Sequence, residues 1–189
     1  MDLQENHDFI VKMIKYALRD YNLELEVRLL ENLSNEKFLN CIKRIKGIPN
    51  IKYQNTSETL DVLLSDNDIR LEISNIGNIR KYCKTESIRG LDKINFITKK
   101  SVSGRYVNNY NVKFNLKRET NIQIGDPSLQ KSLRNWASLD KIYRFKKRYS
   151  FVTEDNRFRF DFTIVKSSEK QTIRGEPTKK LKKDIKDYM

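Results

Sequence analysis

The chain has 189 residues, with 38 Lys and Arg against 25 Asp and Glu, a formal net charge of +13 and a sequence pI near 9.7. That length suits one domain with a single substantial core, and the basic excess favours polyanions such as nucleic acid, nucleotides or an acidic membrane surface. A lone histidine, His7, and two distant cysteines, Cys41 and Cys83, argue against a Ser-His-Asp or Cys-His nucleophile, a zinc site and a disulfide framework.

In chain order, residues 9–21 place Ile10, Met13, Ile14, Ala17, Leu18 and Tyr21 at helical spacing, with Asp8 as the cap and His7 ahead of the helix. LELEVRL, residues 23–29, alternates charged and apolar side chains as a strand does. A second helix begins after Ser34, with Phe38, Cys41, Ile42 and Ile45 on one face and Gly47 and Pro49 as the stop. From residue 51 to residue 166 the period becomes two, in TLDVLLS, DIRLEIS, INFITKKSV, YNVKFNLKRE, IYRFKKRYSF and RFRFDFTIVK. One further helix fits DPSLQKSLRNWASL, where Asp126 precedes Pro127 at the first helical position. Trp136 is expected in the core, Cys83 as a packed residue and Asp66-Asn67-Asp68 as a turn. Residues 169–189 are basic and poorly periodic and are expected to form a tail or linker after a domain of residues 1–168. No apolar run reaches the ~20 residues of a membrane span and no signal peptide is evident, so the sequence predicts an intracellular protein without a membrane partner.

Several strands alternate apolar residues with charged ones. Arg70 and Glu72 alternate with Ile69, Leu71 and Ile73, and Lys113, Asn115, Lys117 and Glu119 with Val112, Phe114 and Leu116. Arg144, Lys146 and Arg148 share a face, as do Arg159, Asp161 and Thr163. Either these faces are the wet side of an antiparallel sheet, or the sheet closes and the charges line a water-filled interior. Three like charges roughly 6 to 7 Å apart on one strand repel unless an anion or neighbouring carboxylates compensate them. Glu24, Glu26, Glu72, Glu119 and Asp161 are available for that. Paired glutamates also suit a hard divalent cation, whereas Arg and Lys suit phosphate oxygens and the charge that develops in phosphoryl transfer.

The ordered set ELEVR, S-x-E-K-F, RLEIS, IRKYC, KFNLKRE, RFKKRYSF and FRFDFTIVK resembles the metal-dependent RNA 5′-triphosphatases of large-DNA-virus mRNA capping enzymes. These belong to the triphosphate tunnel metalloenzymes, or CYTH-like group, and the resemblance runs from about Leu23 to Lys166. It implies an α+β fold with an antiparallel β-barrel and a few flanking helices. The implied activity is removal of the γ-phosphate from triphosphate-ended RNA at the first step of mRNA capping. It further implies Glu24 and Glu26 as ligands of Mg²⁺ or Mn²⁺, with Arg28, Arg70, Lys113, Arg144, Lys146 and Arg148 on the phosphates. Glu119 and Asp161 become inward acids that orient the basic groups, bind metal through water or position the attacking water. Expected partners are triphosphate-ended RNA and guanylyltransferase and methyltransferase domains in the same or an associated chain. The expected location is the host cytoplasm or the virion.

The family closes its barrel with a late strand carrying a second Glu-x-Glu pair, whereas Glu24-Leu25-Glu26 is the only such pair in this sequence. The resemblance therefore implies a barrel lacking its closing C-terminal strand, in a fragment that need not be active alone. Two other readings remain beside it: a nucleoside triphosphate or polyphosphate hydrolase of the same fold, and a noncatalytic module that binds RNA or a partner.

Overall fold

In the computed structural model, residues 3–29, 33–64, 68–107 and 111–168 are described. Their elements are α1 (Leu3–Arg19), β1 (Leu23–Leu29), α2 (Asn35–Lys46), β2 (Ile51–Leu64), β3 (Ile69–Ser74), α3 (Ile76–Thr85), β4 (Ile94–Val107), β5 (Val112–Asn121), α4 (Pro127–Arg134), β6 (Lys141–Thr153) and β7 (Arg159–Ser167). The strands form a seven-stranded antiparallel sheet in the order β1-β5-β4-β3-β2-β6-β7, and with four helices this is the α+β class expected. The order is open, beginning at β1 and ending at β7, and does not form a closed barrel. The tail from residue 169 and most of the Asp66-Asn67-Asp68 segment lie outside the described residues.

Contacts group the chain into two compact units, one of Met1–Asn32 with Ile97–Ile122 and the other of Leu33–Phe96 with Gln123–Met189. In the first, β1 runs antiparallel to β5 from Leu23 opposite Arg118 to Leu29 opposite Val112. α1 lies on β1 and β5, and Met13, Val107 and Leu116 are buried. Arg105 ties the helix down, its guanidinium 4.4 Å from the Phe9 ring centre and donating to the Glu5 carbonyl at 3.2 Å.

In the second unit, β2 pairs with β3 on one side and β6 on the other, and β6 pairs with β7. One face is apolar: Leu60, Val62, Leu71, Ile73, Phe145 and Phe151 are buried. α2 and α3 contact β2, and their rings reach the neighbouring strands, Phe38 edge-on to Tyr149 of β6 and Phe162 of β7 and Tyr82 packed near Tyr143 of β6. Trp136 is core as expected, edge-on to Tyr82 with its indole N–H on the Glu86 carbonyl at 3.2 Å.

Two caps read from sequence are present. Ser34 accepts from the Lys37 N–H, and Asp126 accepts from the Ser128 and Leu129 N–H groups ahead of Pro127. Three elements differ from expectation. α1 starts at Leu3, so His7 and Asp8 lie inside it and Asp8 is no cap; the polar first turns carry no apolar period but are linked by Gln4 donating to Asp8 at 2.9 Å. β2 begins at Ile51, ahead of the TLDVLLS run, because its first half pairs with β6 although it is largely exposed. α3 was not read from the sequence. Its anchors Ile79 and Tyr82 are buried one turn apart, and Asn75, at φ 75°, caps it by accepting from the Gly77 N–H at 2.7 Å.

Candidate functional site

In the second unit, strand register gathers one charged face. β2 presents Ser57, Thr59 and Asp61, β3 presents Arg70 and Glu72, β6 presents Arg144, Lys146 and Arg148, and β7 presents Asp161 and Thr163. Asp61 anchors this face. It is 1% exposed, its carboxylate lies 2.8 Å from the Lys146 ammonium and 3.5 Å from the Arg70 guanidinium, and neither contact has hydrogen-bond alignment. Lys146 also lies 4.0 Å from Glu72. Asp161 anchors the other end. It accepts from the Ser150 hydroxyl at 2.8 Å and from Arg159 at 3.0 Å, and it lies 3.5 Å from Arg148.

Arg144 differs from its neighbours. Its backbone sits opposite Asp61, yet the Asp61 carboxylate is committed to Lys146 and Arg70. Among the described residues no carboxylate lies within ion-pair distance of the Arg144 guanidinium. An unneutralised Arg at the end of a row whose other two cations have partners is a ready contact for an anion, and its planar fork suits phosphate oxygens.

The first unit holds the remaining predicted residues on another charged face. Glu24 is opposite Lys117, Glu26 opposite Asn115 and Arg28 opposite Lys113 on β5, while Lys99 on β4 is opposite Glu119. The Lys99 ammonium bridges two carboxylates, bonding to Glu24 and lying 3.2 Å from Glu119. Burial pushes the Lys99 amine down, but its bond and charge contact with Glu24, reinforced by Glu119, outweigh this and raise it above its ordinary value. Glu26 goes elsewhere. It accepts from Arg28 at 2.8 Å and from Lys117 at 3.0 Å. Burial pushes its carboxyl up, yet Arg28 and Lys117 together hold it down at about 2. Lys113 stands apart, 4.5 Å from the centre of the Tyr106 ring and donating to its hydroxyl at 3.1 Å.

Carboxylate oxygens are the right donors for Mg²⁺ or Mn²⁺, but their present pairing does not make a metal centre. Glu24 and Glu26 point from the same face of β1 to different cationic partners, and among the described residues no three acidic, His or Cys side chains converge on one point. A dication at Glu24 has to take the place of the Lys99 ammonium.

Sequence reasoning missed Asp61 and Lys99, and it placed Lys117 and Arg159 on charged faces without giving them a role. A lone Asp within an apolar strand is the available signal for Asp61, since Asp is depleted in strands and almost never fully buried unless paired. For Lys99 no signal distinguishes it from Lys100.

No family model matches the chain, and no curated protein matches its sequence. Solved structures do match in fold. A monoclinic form of the Mimivirus capping enzyme triphosphatase superposes with a TM-score of 0.64 at 20% identity, covering 99% of this chain and 96% of that one. The RNA triphosphatase domain of a trifunctional mimivirus mRNA capping enzyme gives a TM-score of 0.64 at 20% identity over 98% of this chain and 95% of that one. A triclinic form of the Mimivirus triphosphatase gives the same score and identity over 97% and 95%.

Proposed function

We propose that the chain is a polynucleotide 5′-triphosphatase of viral mRNA capping, removing the γ-phosphate of triphosphate-ended RNA. The observation that carries this reading is the row Arg144, Lys146 and Arg148 on one face of β6, in which Asp61 orients Lys146 and Asp161 orients Arg148 while Arg144, among the described residues, is left without a carboxylate. The likeness in fold to a capping-enzyme triphosphatase supports it.

In this reading Arg144 takes a phosphate oxygen directly, with Lys146, Arg148 and Arg70 beside it, and the fixed cations stabilise the charge that spreads over the transferring phosphoryl group. Water adds to the γ-phosphorus, the bond from that phosphorus to the bridging oxygen breaks, and orthophosphate leaves a diphosphate-ended RNA. Glu119 and Asp161 are assigned to orienting basic groups and the water, and Lys113 and Arg28 to outer phosphate contacts. Glu24 and Glu26 would be the residues to hold Mg²⁺ or Mn²⁺ in exchange for their Lys partners, and the cation would supply further neutralisation of phosphate charge. Guanylyltransferase and methyltransferase domains follow as the partners of such an activity, with the host cytoplasm or the virion as its location.

The test is release of labelled orthophosphate from γ-labelled triphosphate-ended RNA with Mn²⁺ or Mg²⁺. Release with a diphosphate-ended product supports the reading. No release at high enzyme with either cation, or equal release by Arg144→Ala, overturns it.

A further inference from the structure

On the opposite side of the second unit's sheet from Asp61, a surface cavity of about 500 Å³ is lined by Lys46, Ile51, Tyr53, Thr56 and Tyr149. We propose that this cavity is a binding site for an unpaired nucleotide, a stacking platform for single-stranded RNA separate from the charged face. The inference rests on the reading of RNA as substrate, and it assigns a second contact on the RNA body.

The platform is built by a bulge. β2 and β6 are in register up to Tyr53 opposite Phe151, then slip by one, so that Asn55 is opposite Ser150 and Thr56 opposite Tyr149. In a regular strand residues three apart point to opposite faces; the extra residue brings Thr56 onto the face of Tyr53. The consequence is a hydrogen bond of 2.7 Å between the Tyr53 hydroxyl and the Thr56 hydroxyl. Tyr53 also packs edge-on against buried Phe151, ring centres 5.6 Å apart. Tied at its hydroxyl and held against Phe151, the ring is fixed, yet the residue is 51% exposed. A large aromatic held rigid and left half in water is preorganised for a planar partner.

Charge chooses the partner. The cavity lining contains a lysine and no carboxylate, and the last turn of α2 adds Lys43 and Arg44 to Lys46, all exposed. Lys43 lies one turn back from Lys46 on the same side of the helix. Fixed aromatic faces beside cations are the combination by which proteins hold single-stranded nucleic acid, the ring taking a base and the cations the adjoining phosphates. An apolar protein segment has no use for these cations, and duplex RNA has no free base face to offer.

The experiment uses the whole chain and a fluorescent 12-nucleotide single-stranded RNA with a 5′-hydroxyl, read by anisotropy at two salt concentrations. Tyr53→Ala is expected to weaken binding by about tenfold or more, as loss of one base stack does. Lys46→Ala is expected to weaken it less and to flatten the salt dependence. Tyr53→Phe keeps the ring and is expected to retain most of the affinity, while thermal melts confirm that all three variants fold. Hydrolysis of inorganic tripolyphosphate is expected to be unchanged by each substitution. Equal binding by Tyr53→Ala and the unaltered chain overturns the platform, as does equal affinity for a duplex of the same length, or self-association that depends on Tyr53 without RNA binding. Tyr53-dependent binding without γ-phosphate release keeps the platform and removes the triphosphatase reading.

Discussion

Replacing Asp61 with Asn removes one negative charge without changing side-chain volume, and it tests whether this acid holds the phosphate-facing cations in place. The carboxylate lies 2.8 Å from Lys146 and 3.5 Å from Arg70, separations at which unit charges attract by about 6 and about 5 kcal/mol at an effective dielectric near 20. Desolvation cancels most of that attraction. Removing one partner of a buried pair leaves a net loss of about 3–5 kcal/mol, and because Lys146 and Arg70 keep some access to water, about 3 kcal/mol is the working figure. For a chain of this size each kcal/mol moves the melting temperature by about 2–4 °C, so Asp61→Asn is expected to melt about 6–12 °C lower. Circular dichroism melts at pH 7 of the unaltered chain, Asp61→Asn, Lys146→Met and the double variant complete the cycle, with a coupling of about 1–3 kcal/mol expected between residues in direct contact. A melting point within about 2 °C of the unaltered chain, or additive single and double variants, refutes the argument that Asp61 positions Lys146.

Arg144→Ala is expected to leave the melting point nearly unchanged, since no carboxylate loses a partner, while kcat for γ-phosphate release falls by about 10²- to 10³-fold, the size seen when one preorganised donor is removed; a large drop in stability instead assigns Arg144 a structural role. Glu26 has a carboxyl held down at about 2 against an ordinary value of 4.5, so its contribution is present above pH 4.5 and is lost as pH falls from there toward 2. Acid titrations followed by circular dichroism are expected to show a smaller stability loss in that window for Glu26→Gln, and identical acid profiles count against the pairing. Lys99→Met frees Glu24 and Glu119 of their shared ammonium and is expected to tighten Mn²⁺ binding about tenfold, equivalent to about 1.4 kcal/mol of lost competition. Mn²⁺ titration by electron paramagnetic resonance reads this directly, and weaker binding in Lys99→Met shows that the lysine supports the site instead of competing for it.

The parts of this structure legible in the sequence are those that local chemistry decides. Runs of strand-forming residues located part of every strand, though not the first half of β2, and where charge alternates with apolar side chains, as a half-buried strand does at period two, they put Arg144, Lys146 and Arg148 on one face, as the register has them. Ser34 and Asp126 were visible as caps because their side chains act within three residues. Pairing across the sheet was not visible. Which acid neutralises Lys146 depends on the β2–β6 register, and the answer, Asp61, sits in TLDVLL as one charge among apolar neighbours. Lys99 and Lys100 are adjacent and chemically alike, and only the β4–β5 register selects Lys99 to face Glu119. α3 was hidden because Gly77 and a run of basic residues interrupt the apolar period that Ile79 and Tyr82 carry. The open sheet follows from long-range strand order, which no window of sequence contains.

The pairing of β1 with β5 has a consequence for synthesis. Leu23 meets Arg118, and Leu29 meets Val112, so β1 leaves the ribosome well before its hydrogen-bonding partner exists. At about 5–20 residues per second the wait lasts about 5–20 s, far longer than the microseconds a helix or hairpin needs to form. Through that interval α1 has neither β5 nor a completed sheet to cover its apolar stripe. α1 and β1 are thus made well before the strand that secures them, and over that interval they are a stretch of nascent chain that a chaperone would shield.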